Sequence, residues 1–123
     1  MILILTDKDE PTTDLIISWL VKLKKKFIRI SIENKIEFEK VYTHPVTKRI
    51  EMIFSFLHFN DKIVVDTNEI TSYWYRRSEL ARKIESVSYS KSPEIDKVFN
   101  NYRYEEDTEL LNLLNYILDQ KAK

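Results

Sequence analysis

No glycine occurs anywhere in this chain of 123 residues. At the usual share of roughly 7%, about eight or nine would stand in a chain of this length. Glycine alone adopts φ > 0 without steric cost, and loops that converge backbone N–H groups on a phosphate depend on it. The sequence therefore has no Walker loop, no G-x-G-x-x-G turn and no G-x-S-x-G nucleophile elbow. A chain built this way is not expected to bind a nucleotide phosphate or run hydrolase chemistry by itself. It reads as a part of something larger.

The length suits one domain, and hydrophobic residues at 43% supply an apolar core. Lys+Arg and Asp+Glu balance at 20 each. Zero formal charge argues against nucleic acid or an anionic membrane as a bulk electrostatic partner. The absence of cysteine removes disulfides, thiolate nucleophiles and cysteine-based metal sites. The opening Met1-Ile2-Leu3-Ile4-Leu5 meets Asp7, Asp9 and Glu10 too soon for a signal peptide. No apolar run approaches the ~20 residues of a membrane span, so a cytoplasmic location is expected.

Ile2 to Leu5 reads as a strand buried on both faces. After a polar loop, Thr12 or Thr13 is the expected N-cap of a helix with Asp14 in its first turn. Leu15, Ile16, Trp19, Leu20 and Leu23 form the stripe expected to face the core. Phe27 to Ile32 follows as a second strand, making a right-handed parallel βαβ unit. Strand-like segments then run from Ile36 to Tyr42, Arg49 to Phe59 and Lys62 to Asp66, an antiparallel meander with a turn at Asn60-Asp61. Ile50, Met52, Phe54 and Phe56 share one face of the middle strand. Ile70 to Arg76 makes a further strand. Ser86 to Ser92 reads as a serine-rich loop, Ser92-Pro93 as a helix start. Asp107 or Thr108 is the expected cap of a last helix with the stripe Leu110, Leu111, Leu114, Ile117 and Leu118. The fold class expected is α/β, a mixed sheet with helices packed on it. One domain spans 1–123, partly mobile over 78–106.

Tyr73-Trp74-Tyr75-Arg76-Arg77 is the most distinctive cluster. It ends a strand, where ligands of open α/β sheets dock. Alternation puts Trp74 and Arg76 on one face and Tyr73, Tyr75 and Arg77 on the other. Arginine's planar fork suits carboxylate and phosphate. The bland reading packs Trp74 in the core and pairs the arginines with Glu79 and Glu85. Asp7, Asp9 and Glu10 carry hard oxygens of the kind that hold Mg²⁺; acidic residues are equally favoured near a helix N-terminus. His44 and His58 lack the spacing of a paired metal site and are assigned to structure, so no metal ligand and no catalytic residue is expected.

The order of these elements, from Met1-Ile2-Leu3-Ile4-Leu5-Thr6 through Phe27-Ile28-Arg29-Ile30 to Trp74-Tyr75-Arg76-Arg77, resembles the N-terminal, pre-ATP-grasp domain of the ATP-grasp peptide maturases that make graspetides. The likeness is to the microviridin-type ligases and the grasp-with-spasm maturases. In that family a W-[YF]-R-R segment ends a strand, and Thr108 to Gln120 is similar to the helix preceding the central domain. Ser78 departs from relatives that carry glycine. The resemblance implies a ligase that activates Asp or Glu side chains of a precursor peptide as acyl phosphates and closes esters or amides. It implies ATP and Mg²⁺ in the full-length enzyme, with no cofactor in this chain. It names the precursor peptide and the remaining ATP-grasp domains as partners, with a homodimer as a further expectation. The candidate cleft residues are Tyr75, Arg76 and Arg77. The alternative of another class is a stand-alone, non-enzymatic peptide- or protein-binding module.

Overall fold

The computed structural model describes residues 1–7, 9–31, 33–75, 88 and 90–122. Its elements are β1 (Ile2–Thr6), α1 (Pro11–Lys22), β2 (Phe27–Ser31), β3 (Ile36–Thr43), β4 (Ile50–His58), β5 (Asp61–Asp66), β6 (Ser72–Tyr75) and α2 (Pro93–Asp119). A 3₁₀ turn, Thr67–Glu69, leads toward β6. The fold is α/β, as read. The parallel and antiparallel strands form two three-stranded sheets, β2-β1-β6 and β3-β4-β5. β1 is central in the first and pairs in parallel with both neighbours.

Strand periodicity sorts the first sheet into two faces. Leu3, Leu5, Ile30 and Tyr73 enter one core with Met52, Phe54, Phe56 and Val65 of the second sheet. Leu114, Ile117 and Leu118 of α2 complete it, so the stripe expected on the last helix is buried. The other face of the first sheet carries Ile4 and Thr6 and meets α1, where the Thr6 and Thr13 hydroxyls bond at 3.0 Å. On β4 the expected core face holds for Met52, Phe54 and Phe56, while Ile50, at the strand's start, stays exposed.

The burial of α1 corrects the sequence expectation. Leu15, Trp19 and Leu23 are 61%, 56% and 61% exposed. Ile16 and Leu20 of that stripe do turn inward, joined by Thr13 and Ile17, an i, i+3, i+4, i+7 set. Two apolar stripes were available, and Thr13 decides between them because its hydroxyl is held between Thr6 and Glu10. Glu10 is also the N-cap in place of Thr12 or Thr13; its carboxylate accepts from the Thr13 N–H at 3.0 Å.

A second correction concerns the C-terminal helix. Asp107 and Thr108 are interior residues of one continuous helix of 27 residues, not a cap. The Thr108 hydroxyl donates to the Tyr104 carbonyl at 2.7 Å, satisfying itself within the helix. The helix does begin at Ser92-Pro93. Ser88 and Ser90 hydrogen-bond the Asp96 carboxylate in its first turns.

The β4–β5 turn lies at Phe59-Asn60, one residue earlier than the sequence suggested. Phe59, Lys24 and Lys48 have φ of 56°, 51° and 58°, left-handed positions usually given to glycine. Phe59 is also 89% exposed, so its side chain buries little in return. Phe59→Gly is expected to stabilise the protein by about 1 kcal/mol, or about 4 °C in Tm, by removing the Cβ clash. A calorimetric Tm that stays level or falls would show that the edge contact with His58, at 4.8 Å, outweighs the backbone strain.

The Tyr42 hydroxyl donates to both carboxylate oxygens of Asp66, at 2.8 and 2.9 Å. This bond, with burial and the Asp66 charge adding to it, pushes the phenol from 10.0 up to about 12. A raised pKa means that folding favours the protonated phenol. That stabilisation is full below the unfolded value near 10 and is lost as pH rises through about 12. Asp66→Asn is expected to bring the Tyr42 titration back toward 10.0, read by carbon-labelled tyrosine NMR. An unchanged titration would show that Asp66 is not the cause.

Candidate functional site

In the strand order β2-β1-β6, β1 is followed by β2 on one side and flanked by β6 on the other. The carboxyl ends of β1 and β6 thus lie together, and the crevice beyond strand ends is where open α/β sheets bind ligands. The register sets Tyr75, the last residue of β6, beside Leu5 of β1. The carboxyl ends of the two strands therefore lie side by side.

Of the three sequence candidates, Tyr75 lies at this crevice and is 48% exposed. Its ring stacks on Tyr73, with centroids 5.2 Å apart and planes at 27°. Tyr73 is buried in the core, so the stack anchors Tyr75 while leaving it accessible. The alternation expected for this strand holds for its described residues: Tyr73 and Tyr75 share the core face, and Trp74 lies opposite Ile4 on the other. Trp74 is half-buried on the α1 side, and Tyr73 is the aromatic of this cluster that fills the core. Arg76 and Arg77 lie outside the described residues, as do Ser78, Glu79 and Glu85.

The acidic loop after β1 divides its work. Glu10 and Asp14 serve the helix start, the bland reading of the pair: Glu10 caps it, and Asp14 accepts from Arg29 Nη1 at 2.8 Å. Asp7 is different. Its Oδ1 is buried and has no hydrogen-bond partner among the described residues. Its backbone carbonyl accepts from Arg29 Nη2 at 3.3 Å, which holds the loop against β2. An acceptor left so is expensive unless a donor reaches it. Arg29 thus meets the Asp7 backbone on the α1 face of the sheet, while the accessible Tyr75 phenol projects from the core face.

Arg29 was missed in the sequence reading, although the signal was there. A charged residue inside the apolar run Phe27-Ile28-Arg29-Ile30 must face away from the core, and period 2 places it on the α1 face. Asp7 carried no such signal, because an orphaned oxygen depends on how a loop folds back. His44 and His58 stand apart from this crevice. His44 Nδ1 accepts from the Thr47 N–H at 3.2 Å and shapes the β3–β4 loop. Among the described residues, no three His, Asp or Glu side chains gather to hold a metal ion.

The geometry rests on Glu10 holding both the helix end and Thr13. Glu10→Ala is expected to lower stability by about 1 kcal/mol, with an unchanged urea slope. Glu10→Gln keeps an acceptor and is expected to lose less than half of that. Equal losses in the two variants would show that the cap is not what Glu10 contributes.

Comparison with known proteins places this geometry at a distance from them. No family model and no curated protein sequence matches the chain. Among solved structures, it is similar to the macrocyclase MdnC bound with precursor peptide MdnA from Microcystis aeruginosa MRC, with 17% identity and a TM-score of 0.45. The match covers 83% of this chain and 30% of the macrocyclase, so the chain spans under a third of that protein's length. At that score the likeness carries no functional argument. No described helix is long and apolar enough to cross a membrane.

Proposed function

We propose that this chain is the N-terminal domain of an ATP-dependent ligase that closes side-chain ester or amide rings in a ribosomally made precursor peptide. Its role there is to scaffold and to complete the interdomain cleft, without catalysis of its own. One observation carries the reading: the Trp74-Tyr75-Arg76-Arg77 segment begins at the carboxyl end of β6, beside β1 at the crevice. That is the family's strand-ending segment at the position where such sheets meet their ligands. In this reading ATP and Mg²⁺ belong to the remaining ATP-grasp domains, and the enzyme works in the cytoplasm.

Arg76 and Arg77 take the part of cleft residues that attract the acidic core peptide or its acyl phosphate. Their guanidinium chemistry suits both. The exposed Leu15, Trp19 and Leu23 of α1 support the domain reading too, since an apolar helix face is covered in a larger assembly. The same face favours a second reading, a stand-alone peptide- or protein-binding module, and covering by another copy would make a homodimer.

The native gene read past the codon for Lys123 tests this first; the ligase reading expects an open frame running into a glycine-containing ATP-grasp region. In that longer protein, Arg76→Ala and Arg77→Ala are each expected to slow cyclisation about tenfold, followed by mass spectrometry as loss of one water per ring. Unchanged cyclisation in both variants would remove the arginines from the cleft. A stop codon after Lys123, with submillimolar binding of an acidic peptide in the absence of ATP, would replace the ligase by the binding module.

A further inference from the structure

A cleft of about 430 Å³ opens between the β3–β4 loop and the last turn of α2, toward the amino end of β6. Its volume falls in the range of small-molecule sites. One wall carries Lys48 and Arg49, and the other carries Lys121. Ile50 and Ile117 lie in the lining with them. Glu51 also lines it, but its Oε2 is already engaged by the Thr67 hydroxyl at 2.9 Å. The chain thus sets cations on two walls of a cleft whose lining includes aliphatic side chains.

The Lys48 and Arg49 side chains make no hydrogen bond or ion pair with any described residue. The loop beneath them is ordered by its backbone: His44 N–H donates to the Arg49 carbonyl at 2.8 Å, and Lys48 N–H to the His44 carbonyl at 2.9 Å. Lys121 Nζ donates to the Ile70 carbonyl at 3.0 Å. An ammonium has three donors, so two remain.

We propose that this cleft binds a small dicarboxylate, two carboxylates joined by a short methylene spacer. Three cations and one carboxylate leave a net charge of +2 in the lining (3 − 1), which a dicarboxylate neutralises. Its two ends meet the two cationic walls, and its methylenes lie along Ile50 and Ile117. Arg49 offers a carboxylate the planar fork that matches it. A phosphate is the poorer fit. Its charge is concentrated at one point and meets one wall, whereas two carboxylates joined by a spacer meet both. The proposal does not rest on the ligase reading, because none of the crevice residues takes part.

Titration of glutarate into the intact chain, followed by amide NMR, tests it. Saturable shifts are expected at the amides of Lys48, Arg49, Ile117 and Lys121, with a Kd in about the millimolar range. Butyrate, with one carboxylate, is expected to bind at least about tenfold more weakly. Arg49→Gln, at an exposed loop position, is expected to weaken glutarate about tenfold while leaving the circular dichroism spectrum unchanged. Lys121→Gln is expected to do likewise from the opposite wall. The proposal is overturned by the absence of saturable shifts at these amides or by equal binding of butyrate. Saturation by inorganic phosphate at lower concentration than glutarate, or unaltered affinity in Arg49→Gln, overturns it equally.

Discussion

Strand β1 is hydrogen-bonded along both edges and packed on both faces, and the other layers are arranged around it. Leu3 and Leu5 point into the core shared with the second sheet and α2, while Ile4 and Thr6 point toward α1. A backbone buried this completely must find all its partners within the protein. The parallel registers to β2 and β6 supply them along the length of β1. The meander β3–β5 is inserted between β2 and β6, so the chain makes a long excursion before β6 closes the first sheet. Even the N-terminal amine takes part, donating to the Glu69 carbonyl at 3.0 Å. The crevice is thereby a product of long-range pairing: its two strand ends lie about seventy residues apart in sequence, as the Leu5–Tyr75 register shows.

The missing glycines leave a physical signature. Among the described residues, three non-glycine ones occupy left-handed backbone positions, two lysines and a phenylalanine. Each conformation costs on the order of 1 kcal/mol that glycine would not incur. Lys48 is one of them and stands on the wall of the basic cleft, so its strained backbone carries a charge that a glycine there would lack. Elsewhere the chain closes its ends with side chains: Glu10 caps α1, Asp66 accepts from the Asn68 N–H, and Asp96 gathers Ser88 and Ser90.

Polar groups also hold the second sheet in place. A bulge between Phe38 and Lys40 turns Glu39 toward Ser55 and Lys62 on the face away from the core. The Lys62 ammonium and the Ser55 hydroxyl hold the Glu39 carboxyl below its ordinary value. Glu51, nearly buried, is satisfied by Thr67, whose hydroxyl in turn accepts from the Met52 N–H. Such bonds register the 3₁₀ turn against β4 and so aim the chain into β6. The strand that ends at Tyr75 thus inherits its direction from hydroxyl–carboxylate contacts in the neighbouring sheet.

Much of this was legible in the residues. The all-apolar run at β1, the alternation in β2 and β4, the stripe of Leu114 and Leu118, and the two faces of Tyr73-Trp74-Tyr75 follow from periodicity, because burial selects apolar side chains at the period of the element. Tyr75 at a strand end was legible for the same reason. The side of α1 that faces the sheet was not, since two apolar stripes competed and a buried Thr6–Thr13 contact chose the one with fewer large residues. Nor was the cleft of Lys48, Arg49 and Lys121, which joins residues far apart along the chain. Local sequence determined the elements and their apolar faces, because propensity and periodicity act over a few residues. Tertiary structure alone decided which faces meet and which charges share a cleft, because those contacts depend on pairings that no local pattern encodes.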